Sequence, residues 1–281
     1  MKKLLNIIMC VSIICLSMLM TGCGGVDFYI YMYVNEYSVI GNNKAFEIVK
    51  EIEIDWLNGN VNIVKGDVDK VTLSESGENS YQYPAYCRLR EDGHLNVKYL
   101  KSGEIKDTSL KKDLTITVPL EYEFVDISIS AYESNVTVDG VACTDIEVKH
   151  MSSAVNIKNS EFDVAKVVTG SGTANIINCV VSDRLIINPN TGNVEVASCN
   201  VKNYKIYAYK GITTLVLREE TFTIDIRDYG TCNSESFDLL LNPITGLYEY
   251  GMIPEDEEPT YTITFESTHT DAVLNLQKSV V

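Results

Sequence analysis

The chain is short of the groups on which most enzyme chemistry rests. Its three histidines, His94, His150 and His269, lie far apart, and none has a second histidine or a cysteine at metal-ligand spacing. No glycine-rich motif follows a strand signal and opens a helix, so no nucleotide-phosphate cradle is written into the sequence. No serine is marked as a nucleophile. The one dense acidic run, residues 255–258, lacks the spaced oxygen ligands and turn glycine of a calcium loop, and no cofactor or metal is expected. Basic side chains are also scarce, 23 against 39 acidic ones, for a formal charge of −16. That balance disfavours nucleic acid and anionic lipid as partners, and it equally describes a solvated, exported surface.

Long apolar runs are missing too, except for one at the start. Lys2 and Lys3, the apolar stretch Leu4 to Met20 and the small residues after it read as an export signal over residues 1–22. Asn6, Ser12 and Ser17 interrupt a stretch that is already short for a stable membrane span. Met20-Thr21-Gly22-Cys23 resembles the cleavage box of bacterial lipoproteins. That resemblance implies a lipidated Cys23 as first residue of the mature chain. Several acyl chains would then hold the protein on the extracytoplasmic face of the cell membrane, because a single chain binds only marginally. Without the leader, 21 basic and 39 acidic side chains remain, a formal charge of −18. Residues 23–48 read as anchor and N-terminal cap. Only Gly24 and Gly25 separate Cys23 from the tyrosine-rich stretch Phe28 to Tyr37, so no long tether is expected; the tyrosines are expected to cover the first coil.

What the sequence has in abundance is repetition. A unit of about nineteen residues recurs five times between Val125 and Leu217. Ile129, Val148, Val167, Ile187 and Ile206 form one column of it, at steps of 19, 19, 20 and 19. Val136, Val155, Ala174, Val194 and Thr213 form a second; Val138, Ile157, Ile176, Val196 and Leu215 form a third. Apolar and polar residues alternate within each unit, as in Val125-Asp126-Ile127-Ser128-Ile129, which marks strands. Gly, Ser and Asn cluster between them as turns. Parallel columns of this kind arise when each coil lays its strands on those of the coil before. The expected fold is all-β: a single-domain, right-handed parallel β-solenoid of about 19–20 residues per coil over residues 49–281, regular across 125–217 and irregular across 218–281. Ile52-Glu53-Ile54 and Val61 repeat the step from Ile129 to Val136 and read as an opening coil. Phe222 to Ile226 keeps the step of 20 from Ile206 and reads as the next coil after the array.

The order of elements resembles a known family. An opening Ile-x-Ile, Gly59-Asn60-Val61 with Ile63, Asp92-Gly93 with Leu95 and Val97, and Leu114, Ile116, Val118 and Pro119 precede the array. This order is similar to that of the bacterial "putative adhesin" domains of unknown function. The resemblance covers nearly the whole chain after the leader. It implies a parallel β-solenoid on an exported or membrane-attached protein and brings no catalytic residues. The turns at Tyr132-Glu133-Ser134 and His150-Met151-Ser152 depart from the glycine-rich turns usual in that family.

Outward positions carry the remaining inferences. Thr137, Asn156, Asn175, Glu195 and Thr214 form a mostly uncharged polar face, the candidate binding surface for a cell-wall polymer, a glycan or another surface protein. Glu147 is expected beside Lys166 across the ladder. Five cysteines follow Cys23: Cys87, Cys143, Cys179, Cys199 and Cys232. Cys179 and Cys199 share a column on neighbouring coils, either as a disulfide or as a ladder of free thiols. Glycoside hydrolysis needs two carboxylates about 5 to 10 Å apart. Outward Glu147 and Glu195 lie on different strands, so no carboxylate pair is expected. The leading function is therefore a non-enzymatic adhesion, envelope-binding or scaffold module. The alternatives are a polysaccharide-active β-helix enzyme and an envelope sensing or assembly factor with a dedicated protein partner. Cys23→Ala is expected to move the protein from the membrane fraction to the soluble fraction; unchanged membrane retention would refute the lipid anchor.

Overall fold

The computed structural model describes residues 28–77, 82–105, 109–218, 220–251, 253 and 257–279. The export signal 1–22, Cys23 and residues 255 and 256 of the acidic run lie outside the described residues. The described chain is a parallel β-solenoid, and its core is made of the columns seen in the sequence. Ile129 pairs with Val148, Val148 with Val167, Val167 with Ile187 and Ile187 with Ile206. The second and third columns run in the same register, from Val136 to Thr213 and from Val138 to Leu215. All these residues are buried. Each strand thus lies about 4.8 Å from the next, and each apolar side chain packs on its counterpart above and below.

The corners repeat as regularly as the strands. Asn159, Asn178 and Ser198 adopt φ of 52°, 54° and 55° at equivalent places on three successive coils, and Gly140, with φ 70°, begins the series. Asparagine tolerates this left-handed conformation better than other side chains. The amides also bond along the stack, Asn178 Nδ2 to Asn159 Oδ1 and Asn159 Nδ2 to Asp139 Oδ1, both at 2.8 Å. At another corner the coils approach more closely. A Cβ on Gly192 would lie 2.2 Å from the Gly172 carbonyl oxygen, so this corner excludes every other residue.

The ends depart from the sequence reading, because the coils do not stack in chain order. Glu51–Lys65 pairs in parallel with Glu123–Asp139 on one side. On the other it pairs with His94–Lys98 and Lys112–Val118. The coil read as the opening one is therefore second in space. Outside it, Tyr86–Leu89 and Val71–Gly77 add antiparallel strands that close the open edge. The far end repeats the device. Tyr261–Ser267 lies between Asn203–Ala208 and Phe222–Asp228, and Val273–Lys278 lies between Ile212–Leu217 and Thr231–Asn233. Ile226 does belong to the column of Ile206, but Phe265 stands between them. Column spacing identifies which positions align; it does not say which two strands are neighbours.

A buried charged pair fastens the N-terminal cap. Lys112 is fully buried, with its Nζ 3.5 Å from Glu75 Oε1 and 4.0 Å from the centroid of the Tyr99 ring. It donates to the carbonyl oxygens of Tyr83, at 3.0 Å, and of Tyr99. Glu75 Oε2 accepts the Ala85 N–H at 2.7 Å. Burial pushes the Lys112 ammonium down to about 8, and burial likewise raises the Glu75 carboxyl. Removing one partner leaves the other charge buried and unpaired, whereas removing both does not. Glu75→Leu should thus cost about 3 to 5 kcal/mol in urea unfolding at neutral pH. The double substitution Glu75→Leu with Lys112→Met should recover most of it. Equal loss in the single and double variants would contradict the pairing.

Candidate binding surfaces

The outward polar column is continuous. Thr137, Asn156, Asn175, Glu195 and Thr214 are successive register partners. The column extends beyond the sequence-predicted five: through Asn62 to Thr115 at one end and through Asn275 to Asn233 at the other. Asn175 Nδ2 donates to Asn156 Oδ1 at 3.0 Å and Asn233 Nδ2 to Asn275 Oδ1 at 2.9 Å. Glu195 is the one charged member of these nine. Such a surface offers repeated uncharged donors and acceptors at about 4.8 Å intervals on a rigid backing.

The outer face of the first strand row is charged instead. Lys166 Nζ lies 2.7 Å from Glu147 Oε1, the expected cross-ladder pair. Nearer the N-terminal end, His94 Nδ1 is 2.8 Å from Glu51, while Lys98 bridges Glu53, at 2.9 Å, and Asp55. Tyr31 and Tyr37 pack ring to ring at 4.5 Å, and Tyr31 is tied to Ser102 through both its N–H and its carbonyl. The same row corrects one sequence expectation. Glu51, Asp126 and Asp145 are register partners on three neighbouring strands, so carboxylates do stack on adjacent coils. Burial, then the neighbouring Asp145 and Glu51 carboxylates, raise the Asp126 carboxyl. The signal was present: each of the three stands three residues before Ile54, Ile129 or Val148 in the first interior column.

A groove of about 450 Å³ follows the corner after the first strand row. Tyr132 and Met151 stand exposed at its edge, Asn190 lies farther along, and Trp56, His150 and Thr169 contribute to its wall. His150 is buried, and neither ring nitrogen has a hydrogen-bond partner; the Thr169 hydroxyl is likewise unpartnered. Desolvation lowers His150 to about 4, so the imidazole is neutral in the fold. The sequence reading missed His150, Thr169, Glu75 and Lys112 as buried groups. Each lies in phase with the inward apolar residues of its strand, as His150 does with Ile146 and Val148.

Cys179 and Cys199 occupy one corner column after Val141 and Ser160, as free thiols. The Cys179 N–H points at Cys199 Sγ across 3.4 Å. Among the described residues, no group of three or more His, Cys, Asp or Glu is placed to hold a metal ion, and no helix is long and apolar enough to cross a membrane.

Coil register, antiparallel caps and an outward polar ladder define a class: a parallel β-solenoid presenting long repetitive faces. The chain belongs to the Toastrack DUF4097 family, whose model matches residues 49–234. It is similar to several solved structures at low identity. One is a "putative cell adhesion protein" from Clostridium sporogenes: 13% identity, covering 85% of this chain and 98% of that one, TM-score 0.36. A "putative adhesin" from Bacteroides fragilis is also 13% identical, over 83% and 95% of the two chains, TM-score 0.43. Another, from Parabacteroides distasonis, is 10% identical over 86% and 97%, TM-score 0.42. No curated protein matches the chain.

The burial of His150 has a consequence for acid stability. Its value in the fold, about 4, lies below the 6.5 of the unfolded chain, so the unfolded chain takes up the proton first as pH falls. This contribution is intact above pH 6.5 and drains away as pH falls toward 4. His150→Leu should unfold at higher temperature than the parent at pH 7 and lose less stability between pH 7 and pH 4.5. Parallel melting curves for the two proteins across that range would contradict the assignment.

Proposed function

We propose that the protein is a lipid-anchored, extracytoplasmic, non-catalytic binding module that holds a repetitive polymer of the cell envelope against its outward Asn/Thr column. The anchor is Cys23, residues 23–48 form the cap next to it, and residues 49–281 act as one solenoid. The carrying observation is the unbroken column from Thr115 to Asn233, in which Thr137, Asn156, Asn175, Glu195 and Thr214 form the central stretch. A polymer lying along the coil axis meets a hydroxyl or an amide at every coil except that of Glu195. Many weak contacts then add as linked binding events rather than as one deep pocket. The insertion of Tyr261–Ser267 between two earlier strands supports reading the segment after residue 234 as part of the same unit. The stacked carboxylates favour catalysis less than binding, because Asp145 stands exposed on an open sheet face, not in a closed cleft that excludes water.

Co-sedimentation of residues 24–281 with purified cell-wall polymer, and in parallel with host mucin, at several salt concentrations tests the reading. Saturable retention with little salt dependence is expected on one polymer, since a single charge lies in the column. Each amide removed costs about 1 kcal/mol, so Asn156→Ala with Asn175→Ala should weaken retention roughly thirtyfold. No retention on either polymer would overturn polymer binding in favour of an envelope sensing or assembly factor with a protein partner. Release of soluble reducing sugar during the incubation would favour a polysaccharide-active enzyme.

A further inference from the structure

We infer that Cys179 and Cys199 form a reversible dithiol–disulfide site that locks two neighbouring coils together. Three observations converge on this pair. First, Asn200 N–H donates to the Cys179 carbonyl at 2.8 Å, and Asn178 N–H donates to the Ala197 carbonyl at 3.0 Å. The two cysteines are therefore held at the same register position on adjacent coils, each at the corner just before the next strand begins. Parallel strands place such Cα atoms about 4.8 Å apart, inside the span a disulfide bridges. Second, both residues follow a left-handed corner residue, Asn178 at φ 54° and Ser198 at φ 55°, so the two side chains leave the backbone in the same way. Third, the Cys199 sulfur already reaches the Cys179 backbone: Cys199 Sγ receives the Cys179 N–H at 3.4 Å, and the neighbouring Cys199 thiol lowers the Cys179 thiol while its own rises.

The other described cysteines lack such a neighbour. Cys143 is stacked between Phe124 and Phe162, Cys87 faces Val97 and Ser38, and Cys232 faces Leu274. Burial raises the thiols of all three, with Cys232 at about 11. A single pair is thus singled out from five thiols.

The reaction is thiol–disulfide exchange with a small-molecule or protein disulfide as oxidant. One sulfur of the pair attacks the oxidant as its thiolate and expels one thiolate. The other, as its thiolate, then attacks that sulfur of the mixed disulfide and expels the second. One sulfur–sulfur bond of the oxidant breaks and one forms between the coils; two electrons pass to the oxidant, which leaves as two thiols carrying the two protons. Stacked parallel strands keep the Cβ atoms farther apart than an unstrained disulfide prefers, so the bond should be readily reduced. The site therefore behaves as a labile clamp across the middle of the ladder. It does not depend on the polymer-binding reading.

Full-length protein incubated with oxidised glutathione, alkylated and digested with trypsin gives a direct test, because Arg184 separates the two cysteines into peptides 167–184 and 185–202. These two peptides should appear joined by a disulfide and separate on reduction. Cys87, Cys143 and Cys232 should remain alkylated, and the oxidised protein should melt several degrees higher until reductant is added. Recovery of both peptides alkylated after oxidation, or a linkage involving any other cysteine, would overturn the site. Cys232→Ser should leave the linkage unchanged; its loss in that variant would also count against the assignment.

Discussion

The structure depends on one constraint: each coil must lie in register on its neighbour. A parallel strand satisfies its N–H and C=O groups only through the strands beside it, so a coil displaced by one residue would turn its apolar side chains outward. Once register holds, the other regularities follow. Ile129, Val148 and Val167 meet inside, Thr137, Asn156 and Asn175 meet outside, and Asn159 and Asn178 meet at the corner. The outward ladder is a direct consequence of the inward one.

The same constraint creates a difficulty at both ends, where a strand row would otherwise stop with open hydrogen-bonding edges. The protein answers by running the chain outward and back. Glu51–Lys65 is enclosed between two later segments, and Tyr261–Ser267 is enclosed between two earlier ones. Antiparallel strands then cover what is left, Tyr86–Leu89 at one end and Tyr248–Tyr250, against Phe222–Ile224, at the other. The buried Lys112–Glu75 pair sits where cap meets coil, fastening a junction that the repeat itself does not specify.

How much of this was legible in the sequence follows from the same physics. Columns at 19- and 20-residue steps are periodic, so Ile129 through Ile206 and Thr137 through Thr214 align from the sequence alone. Neighbour order at the ends could not, because Phe265 and Ile226 satisfy the same column equally well and only the hydrogen-bonded edges choose between them. Carrying the register three residues back from Ile129 and Val148 would have revealed Asp126 stacked on Asp145. Asking which polar residues fall on the inward phase would have revealed Glu75, Lys112 and His150. The groove at Tyr132 and Met151 lay beyond reach, since it depends on how side chains fold over a corner and not on any repeat. Function is less legible still: a solenoid of this kind disperses its polar groups along a face instead of converging them, and dispersed contacts leave no local motif.

The claim that coil order is interrupted at the ends can be measured directly by cysteine cross-linking. In a chain whose Cys87, Cys143, Cys179, Cys199 and Cys232 are replaced, Thr214→Cys combined with Asn275→Cys should form a disulfide under mild oxidation, because these positions are register partners. Thr214→Cys combined with Asn233→Cys should not, because Asn275 stands between them at about twice the strand spacing. Bridging of Thr214→Cys to Asn233→Cys, without bridging to Asn275→Cys, would mean that the coils stack in chain order and would contradict the architecture.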